Sequence, residues 1–134
     1  MQWEKINVCV QKWMKQARKI ILEGRTKELC VEEKTSRCDL VTNVDKFIEK
    51  FYVDRIRETF PNSKILGEEG EADKDLDNFK GLLWIIDPID GTMNFVKQHD
   101  HFASMIAVCE NGIEKLGYIL DVTEDELYWG GPEC

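Results

Sequence analysis

Hydrophobic residues recur every three or four positions near the start of the chain, which is the spacing of an amphipathic helix. The pattern predicts a helix from about Trp3 to Glu23, and Gly24 ends it. Its apolar face carries Ile6, Val10, Trp13, Ala17 and Ile20.

A second helix is predicted to begin at Thr42. Thr followed three residues later by Asp45 resembles a capping box, in which side chain and backbone at the helix start bond each other reciprocally. Pro61 closes this helix. Its apolar face is expected to carry Val44, Phe47, Ile48 and Phe51.

Short strands are predicted where apolar residues cluster between turn-forming residues. Asn111-Gly112 supplies the positive φ of a hairpin turn between two of them. The acidic segment from Glu68 to Asp77 holds little to bury and is predicted to be a loop. The predicted strands are 27–32, 39–41, 64–66, 82–87, 103–109, 113–122 and 127–129.

Charge and hydropathy exclude several classes of partner. The chain has 26 acidic against 18 basic residues and a formal net charge of −8, with no cluster of Lys and Arg interleaved with aromatics. Nucleic acid is therefore not an expected partner. No stretch approaches the roughly 18 apolar residues of a membrane span, and the start lacks the features of a signal peptide. We expect a cytoplasmic protein with no membrane partner.

The five cysteines include no C-x-x-C pair that would suggest zinc or a redox motif. Reduced thiols are expected, with Cys9 and Cys109 as small core residues. His99 and His101 are predicted to be loop residues without a role in acid or base catalysis.

The most informative segment is an apolar strand from Trp84 that runs directly into two carboxylates. Asp87 at its end would be partly desolvated, which is costly for an unpaired carboxylate. Pro88 prevents a regular continuation and turns the chain, so Asp87 and Asp90 are predicted to converge with the carbonyl of Ile89 between them. Such oxygen-only ligands suit Mg²⁺.

The residues that follow have the chemistry of a phosphate site. Gly91 allows close backbone approach, and a short helix beginning at Thr92 would offer free amides to phosphate oxygens. Taken singly, however, Asp-Pro and Asp-Gly are typical of surface turns. Asp45 is also typical of a helix start, and Glu68-Glu69 of a solvated loop. On residues alone these alternatives stay open.

Three motifs resemble those of the inositol monophosphatase family, in its order and at its spacing. They are Asp39-Leu40-Val41-Thr42 with Asp45, Gly67-Glu68-Glu69, and the segment from Trp84 to Phe95. The family belongs to a lithium-sensitive, Mg²⁺-dependent phosphatase superfamily that also includes fructose bisphosphatases and nucleotide 3′-phosphatases. The resemblance implies an α/β fold of the α+β layered-sandwich type, with two N-terminal helices packed on a mainly antiparallel sheet.

The resemblance also implies a metal centre of two or three Mg²⁺ ions. Glu68, Asp87 and the carbonyl of Ile89 would hold one ion, and Asp87 and Asp90 would reach a second. Glu68 would also serve a third, weaker ion.

Catalytic and substrate-binding roles follow from the same resemblance. Asp45 and Thr92 would polarise the attacking water, with Glu68 taking part in catalysis. Asp90, Gly91, Thr92 and Glu68 would contact the substrate, and the amides of Gly91 and Thr92 would hold its phosphate. No covalent phospho-enzyme is required.

The chain departs from the family in length. Family members are nearly twice as long, and their second half supplies a further aspartate ligand in a Trp-Asp motif that does not occur here. Residues 1–134 are therefore expected to be the single N-terminal part of such a domain, truncated and without the C-terminal α/β half. For the isolated chain we expect weak binding of the second metal, low or absent turnover and a tendency to associate.

The function implied is Mg²⁺-dependent hydrolysis of a small phosphomonoester by metal-activated water, with myo-inositol monophosphate as the first candidate substrate. Family members are commonly homodimers, and the sequence leaves the oligomeric state of this chain open. A first alternative is a related phosphatase acting on fructose 1,6-bisphosphate or a 3′-phosphonucleotide. A second is a noncatalytic metal-binding or interaction module.

Overall fold

The computed structural model describes residues 2–24, 31–33, 40–67, 80–91 and 102–132. Two helices lie in these ranges, α1 (Gln2–Gly24) and α2 (Asn43–Thr59). The strands are β1 (Val31–Glu33), β2 (Leu40–Thr42), β3 (Lys64–Leu66), β4 (Leu82–Asp90), β5 (Ala103–Glu110), β6 (Ile113–Asp121) and β7 (Glu126–Gly130).

The strands form two sheets. β1 and β2 pair antiparallel in a small two-stranded sheet, and the other five lie in the order β3-β4-β5-β6-β7. β3 is parallel to β4, and every other pair in the larger sheet is antiparallel. The expectation of helices on a mainly antiparallel sheet is therefore confirmed.

Helix α1 forms where the apolar spacing predicts it. Ile6, Val10, Trp13 and Ala17 are buried as expected, and Met14 and Ile21 join them. The Trp13 ring packs against Phe60 and Trp84, with ring centroids 6.3 and 6.0 Å away. These three aromatic rings join α1 to the end of α2 and to the sheet.

Helix α2 begins as predicted and buries most of the predicted face, including Val44 and Ile48. Thr42 is its N-cap, and the reciprocal hydrogen bonds with Asp45 form the capping box. Phe47, expected on the apolar face, is 58% exposed. The buried side chains are those of Val44, Asp45, Ile48, Glu49, Tyr52, Val53 and Ile56. The buried stripe thus includes two carboxylates.

Both helices are bonded to the same face of the five-stranded sheet. The Tyr52 hydroxyl lies 2.7 Å from that of Ser104, which joins α2 to β5. The Tyr118 hydroxyl donates to Asn7 Oδ1 at 3.0 Å, which joins β6 to α1. The opposite sheet face carries exposed apolar side chains, those of Ile85, Ile119 and Tyr128.

The turn between β5 and β6 confirms the Asn-Gly prediction. Asn111 and Gly112 have φ values of 51° and 84°. The Asn111 side chain also accepts from the amide of Gly81, at 2.8 Å, and so ties the turn to the start of β4.

Two further expectations concern cysteines and membranes. Cys109 is buried and Cys9 is half-buried against the core, and both are free thiols. Burial raises the pKa of the Cys109 thiol, and the nearby charge of Glu114 raises it further. The other three cysteines and both histidines lie outside the described residues. Neither described helix combines the length and hydropathy needed to cross a membrane.

Candidate active site

The acidic end of β4 contains a β-bulge. The strand does not stop at Asp87 as predicted but continues to Asp90. Asp87 pairs with Met105 and Asp90 with Ala103, so three steps along β4 correspond to two along β5. The prediction that Pro88 prevents a regular continuation is confirmed by the register shift, although the strand does not end there. Proline has no N–H to donate, and the extra residue is absorbed as a bulge instead.

This bulge places Asp87 and Asp90 on the same face of the sheet. In a regular strand, residues three apart point to opposite faces. Here their partners Met105 and Ala103 are two apart on β5 and therefore share a face. Asp87 lines a cavity together with Ile85 and Ile119, and Asp90 lines a second cavity that also includes Ile119. Both carboxylates therefore border the sheet face that carries these apolar side chains. The predicted convergence of the two acids thus has a physical basis in the register shift.

The residues between and after these acids differ in exposure. Pro88 and Ile89 are buried, Asp87 is half-buried with its Oδ1 atom inaccessible to solvent, and Asp90 and Gly91 are exposed. Gly91 has a φ of 87°, in the left-handed region that favours glycine. The chain thus leaves β4 at Gly91 in a conformation that another residue would strain.

Asp45 is 1% exposed in the first turn of α2. Its Oδ1 accepts the Thr42 amide at 2.9 Å and also the Thr42 hydroxyl, while the Asp45 amide donates to Thr42 Oγ1 at 3.1 Å. These bonds fix the carboxylate at the start of the helix. They establish its capping role and leave its catalytic role as a prediction.

Two predicted site residues, Glu68 and Thr92, lie outside the described residues. Within the described ranges, no three His, Cys, Asp or Glu side chains converge tightly enough to hold a metal ion. The β4 bulge brings Asp87 and Asp90 to one face of the five-stranded sheet, whereas Asp45 lies on α2, which packs on the opposite face.

The structure reveals one residue that the motifs did not indicate. Glu49 lies one helical turn after Asp45 and is completely buried. Its carboxylate packs against Gly67, where a Cβ atom would lie 2.3 Å from Glu49 Oε1. Gly67 directly precedes Glu68 in the sequence and follows β3, the parallel neighbour of β4. Glu49 therefore joins α2 to the strand ends that carry the candidate ligands.

A sequence signal for Glu49 does exist. Asp45, Glu49, Tyr52 and Ile56 follow one another at helical spacing, so a wheel drawn through the buried positions places two acids among apolar side chains. A carboxylate on a buried stripe departs from the usual pattern and calls for an explanation.

Comparison with known proteins agrees with the motifs. Residues 2–132 match the model of the inositol monophosphatase family. The inositol-1-monophosphatase of Bacillus subtilis (strain 168) is 51% identical over 126 residues, which make up 94% of this chain and 47% of that protein. The fructose-1,6-bisphosphatase/inositol-1-monophosphatase of Thermotoga maritima is 45% identical over 89 residues, 66% of this chain and 33% of that one.

Solved structures show the same fold. An IMPase/NADP phosphatase complexed with Mg²⁺ and phosphate superimposes with a TM-score of 0.86 at 33% identity. The match covers 98% of this chain and 49% of that one. The chain thus spans about half the length of the Bacillus relative and of this structural neighbour.

Proposed function

Because the chain belongs to the inositol monophosphatase family, we propose that it supplies the metal-binding part of a Mg²⁺-dependent phosphatase for small phosphomonoesters, with myo-inositol monophosphate as the favoured substrate. The observation that carries this proposal is the bulge in β4. It turns Asp87 and Asp90 to one face of the sheet, next to the positive-φ Gly91.

The chemistry of the available donors fits Mg²⁺. Asp87 and Asp90 offer carboxylate oxygens, and the proposed set adds the main-chain carbonyl of Ile89 and the carboxylate of Glu68, with no nitrogen or sulfur. Asp87 Oδ1 is buried, and a bound cation favours the ionised form of a buried carboxylate. When bound, Mg²⁺ supplies charge for the phosphoryl oxygens and lowers the pKa of water. We place two or three ions here.

The remaining groups act on the substrate and the attacking water. The amide of Gly91, turned by its positive φ, and that of Thr92 are proposed to hold the phosphate. Asp45 and the Thr92 hydroxyl are proposed to orient and polarise the water, with Glu68 as a catalytic partner. Asp45 is held rigidly for this task by its bonds to Thr42.

The choice of substrate is supported by the names of relatives. The Bacillus protein is an inositol-1-monophosphatase, and the Thermotoga protein is named for fructose 1,6-bisphosphate as well as inositol 1-phosphate. The second name favours fructose 1,6-bisphosphate as the alternative substrate. Because the chain spans about half of the Bacillus relative, we propose that full activity requires the complementary half.

The test is phosphate release from myo-inositol 1-phosphate and from fructose 1,6-bisphosphate at increasing Mg²⁺. The 134-residue chain is assayed alone and fused to the second half of the Bacillus relative. We expect release from the fusion to exceed that from the chain, and to disappear in Asp90→Asn. The matched control is Glu124→Gln, the same loss of charge at an exposed turn, which should keep the activity.

Each outcome separates the alternatives. Faster release from fructose 1,6-bisphosphate would replace the favoured substrate by the alternative. Mg²⁺ binding by the fusion without release of phosphate from either substrate would support the noncatalytic module. A fusion that is active without Mg²⁺, or in Asp90→Asn, would contradict the proposed metal site.

A further inference from the structure

We infer that Glu49 is a positioning residue for the metal site: its buried carboxylate packs against the backbone at Gly67, the residue directly before the proposed ligand Glu68 in the sequence. The inference rests on the proposed function, since it assumes that Glu68 is a ligand to Mg²⁺. It adds a residue that belongs to none of the three motifs.

The side chain of Glu49 is completely buried. It lies in the second turn of α2. Glutamate is rarely fully buried, and apolar side chains of similar size are the usual occupants of such a place. Neighbours on the same helix face, Ile48, Tyr52 and Val53, are also buried and would pack readily around a leucine or methionine. Core packing alone therefore does not account for a glutamate here.

A second buried carboxylate, that of Asp45, lies one helical turn before Glu49. Asp45 lies four residues earlier on the same face and is 1% exposed. Like charges at this spacing on a helix repel one another. Two buried carboxylates in adjacent turns thus give the start of α2 a negative potential that attracts a cation.

The carboxylate of Glu49 lies against Gly67. A Cβ on Gly67 would lie 2.3 Å from Glu49 Oε1 and 2.7 Å from Cδ, both closer than real contacts allow. Gly67 is not among the glycines with positive φ. The nearby carboxylate, and not the backbone angles, therefore opposes a side chain at position 67 unless the end of Glu49 moves.

The position of Gly67 gives the contact its consequence. Leu66, the residue before it, pairs with Ile85 in the parallel β3–β4 ladder, two residues before Asp87. Gly67 thus lies at the same edge of the sheet as the acidic end of β4. Consecutive Cα atoms are about 3.8 Å apart, so a shift of Gly67 moves Glu68 directly. Groups that orient metal ligands typically change metal affinity by roughly 10–100-fold when mutated.

Glu49→Gln tests the charge, and Gly67→Ala tests the geometry. Thermal unfolding is followed for each in EDTA and at increasing Mg²⁺, in the full chain and in the fusion, and the rise in Tm gives the affinity for Mg²⁺ alone. We expect both variants to weaken Mg²⁺ binding by about tenfold or more. Glu49→Gln keeps the size of the side chain, and its Mg²⁺ response is compared with its own Tm in EDTA, so that a loss of stability is not counted as a loss of Mg²⁺ affinity. The control Glu58→Gln makes the same change at the exposed end of α2 and should match the wild type.

A double variant, Glu49→Ala with Gly67→Ala, tests the contact without metal. If the carboxylate fills the space beside Gly67, the loss of Tm caused by Gly67→Ala should largely disappear when Glu49 is already alanine. Equal losses in both backgrounds would overturn the contact.

The outcomes distinguish this inference from the proposed function. A wild-type chain and fusion whose Tm values do not respond to Mg²⁺ would overturn both. A wild type that responds, with Glu49→Gln responding at the same Mg²⁺ concentrations, would overturn the positioning role alone. Loss of Tm in EDTA with unchanged Mg²⁺ affinity would assign Glu49 a purely structural role.

Discussion

The hydroxyl groups of Tyr52 and Ser104 lie 2.7 Å apart in the buried layer between α2 and β5, and both side chains are fully buried. Replacing one partner leaves the other hydroxyl desolvated without its bond. We expect Tyr52→Phe and Ser104→Ala each to lower the free energy of unfolding by about 1–3 kcal/mol. The double variant should lose clearly less free energy of unfolding than the sum of the two single losses, as measured by urea denaturation. Strictly additive losses would show that the two hydroxyls do not depend on each other.

The same tyrosine predicts a change of stability at alkaline pH. Burial raises the pKa of Tyr52 well above its ordinary value of 10.0, against a smaller opposing effect of the Ser104 hydrogen bond. The folded state therefore keeps a proton that the unfolded chain releases near pH 10. This contribution is intact below about pH 10 and is lost as the pH rises further.

Comparison of the wild type with Tyr52→Phe between pH 7 and 11 isolates this contribution. The advantage of the wild type in unfolding free energy should be constant up to about pH 10 and should shrink above it. A difference that stays constant to pH 11 would contradict the raised pKa.

Gly91 gives a prediction that depends on backbone conformation. Its φ of 87° lies where a Cβ causes strain. Gly91→Ala should cost about 1–2 kcal/mol of stability and should reduce phosphate release by the fusion, because the amide proposed to hold phosphate is displaced. Gly130→Ala is the matched control, since a Cβ there would meet nothing within 4 Å. Equal effects of the two substitutions would argue against a special conformation at Gly91.

The two roles of Asp45 can be separated by variants of its partner. Thr42→Ala removes the capping hydroxyl and should cost about 1 kcal/mol of stability, with a modest change in turnover. Asp45→Asn keeps one acceptor for the Thr42 amide but removes the charge, and should lower kcat of the fusion by about 10²–10⁴-fold. Should Thr42→Ala reduce kcat as strongly as Asp45→Asn, capping alone would explain the importance of Asp45.

The uncovered sheet face predicts self-association of the chain by itself. Ile85, Ile119 and Tyr128 are 38%, 43% and 57% exposed on it, and contiguous apolar surface of this kind favours association. Ile119→Glu should shift the chain toward monomer in sedimentation velocity. Val8→Glu, on the exposed side of α1, is the control and should not. Equal shifts toward monomer in both variants would show that this sheet face is not the specific association surface.

Local patterns predicted most of the elements. Helix α1 and the Asn111-Gly112 hairpin follow from residues adjacent in sequence, and so does the capping box at Thr42. These features depend on short-range spacing and turn chemistry, which a sequence displays directly. The family resemblance rests on motifs of the same kind.

Three features could not be predicted because distant residues determine them. The bulge after Asp87 is defined by pairing with β5, so Pro88 by itself suggested a turn. Burial of Glu49 depends on the space left by Gly67. Phe47 is exposed because α2 turns the face carrying Tyr52 toward the sheet. The metal-binding, substrate-binding and catalytic roles of all the site residues, and the cytoplasmic location, stay predictions.

The hydrogen bond between Tyr118 and Asn7 joins residues separated by 111 positions. Helix α1 therefore leaves the ribosome long before the strand on which it packs. At roughly 5–20 residues per second, its apolar stripe waits on the order of ten seconds for the part of the sheet that covers it. The hairpin of β5 and β6 closes over two residues and needs no such delay. During this interval, the apolar stripe of α1 is accessible to a chaperone.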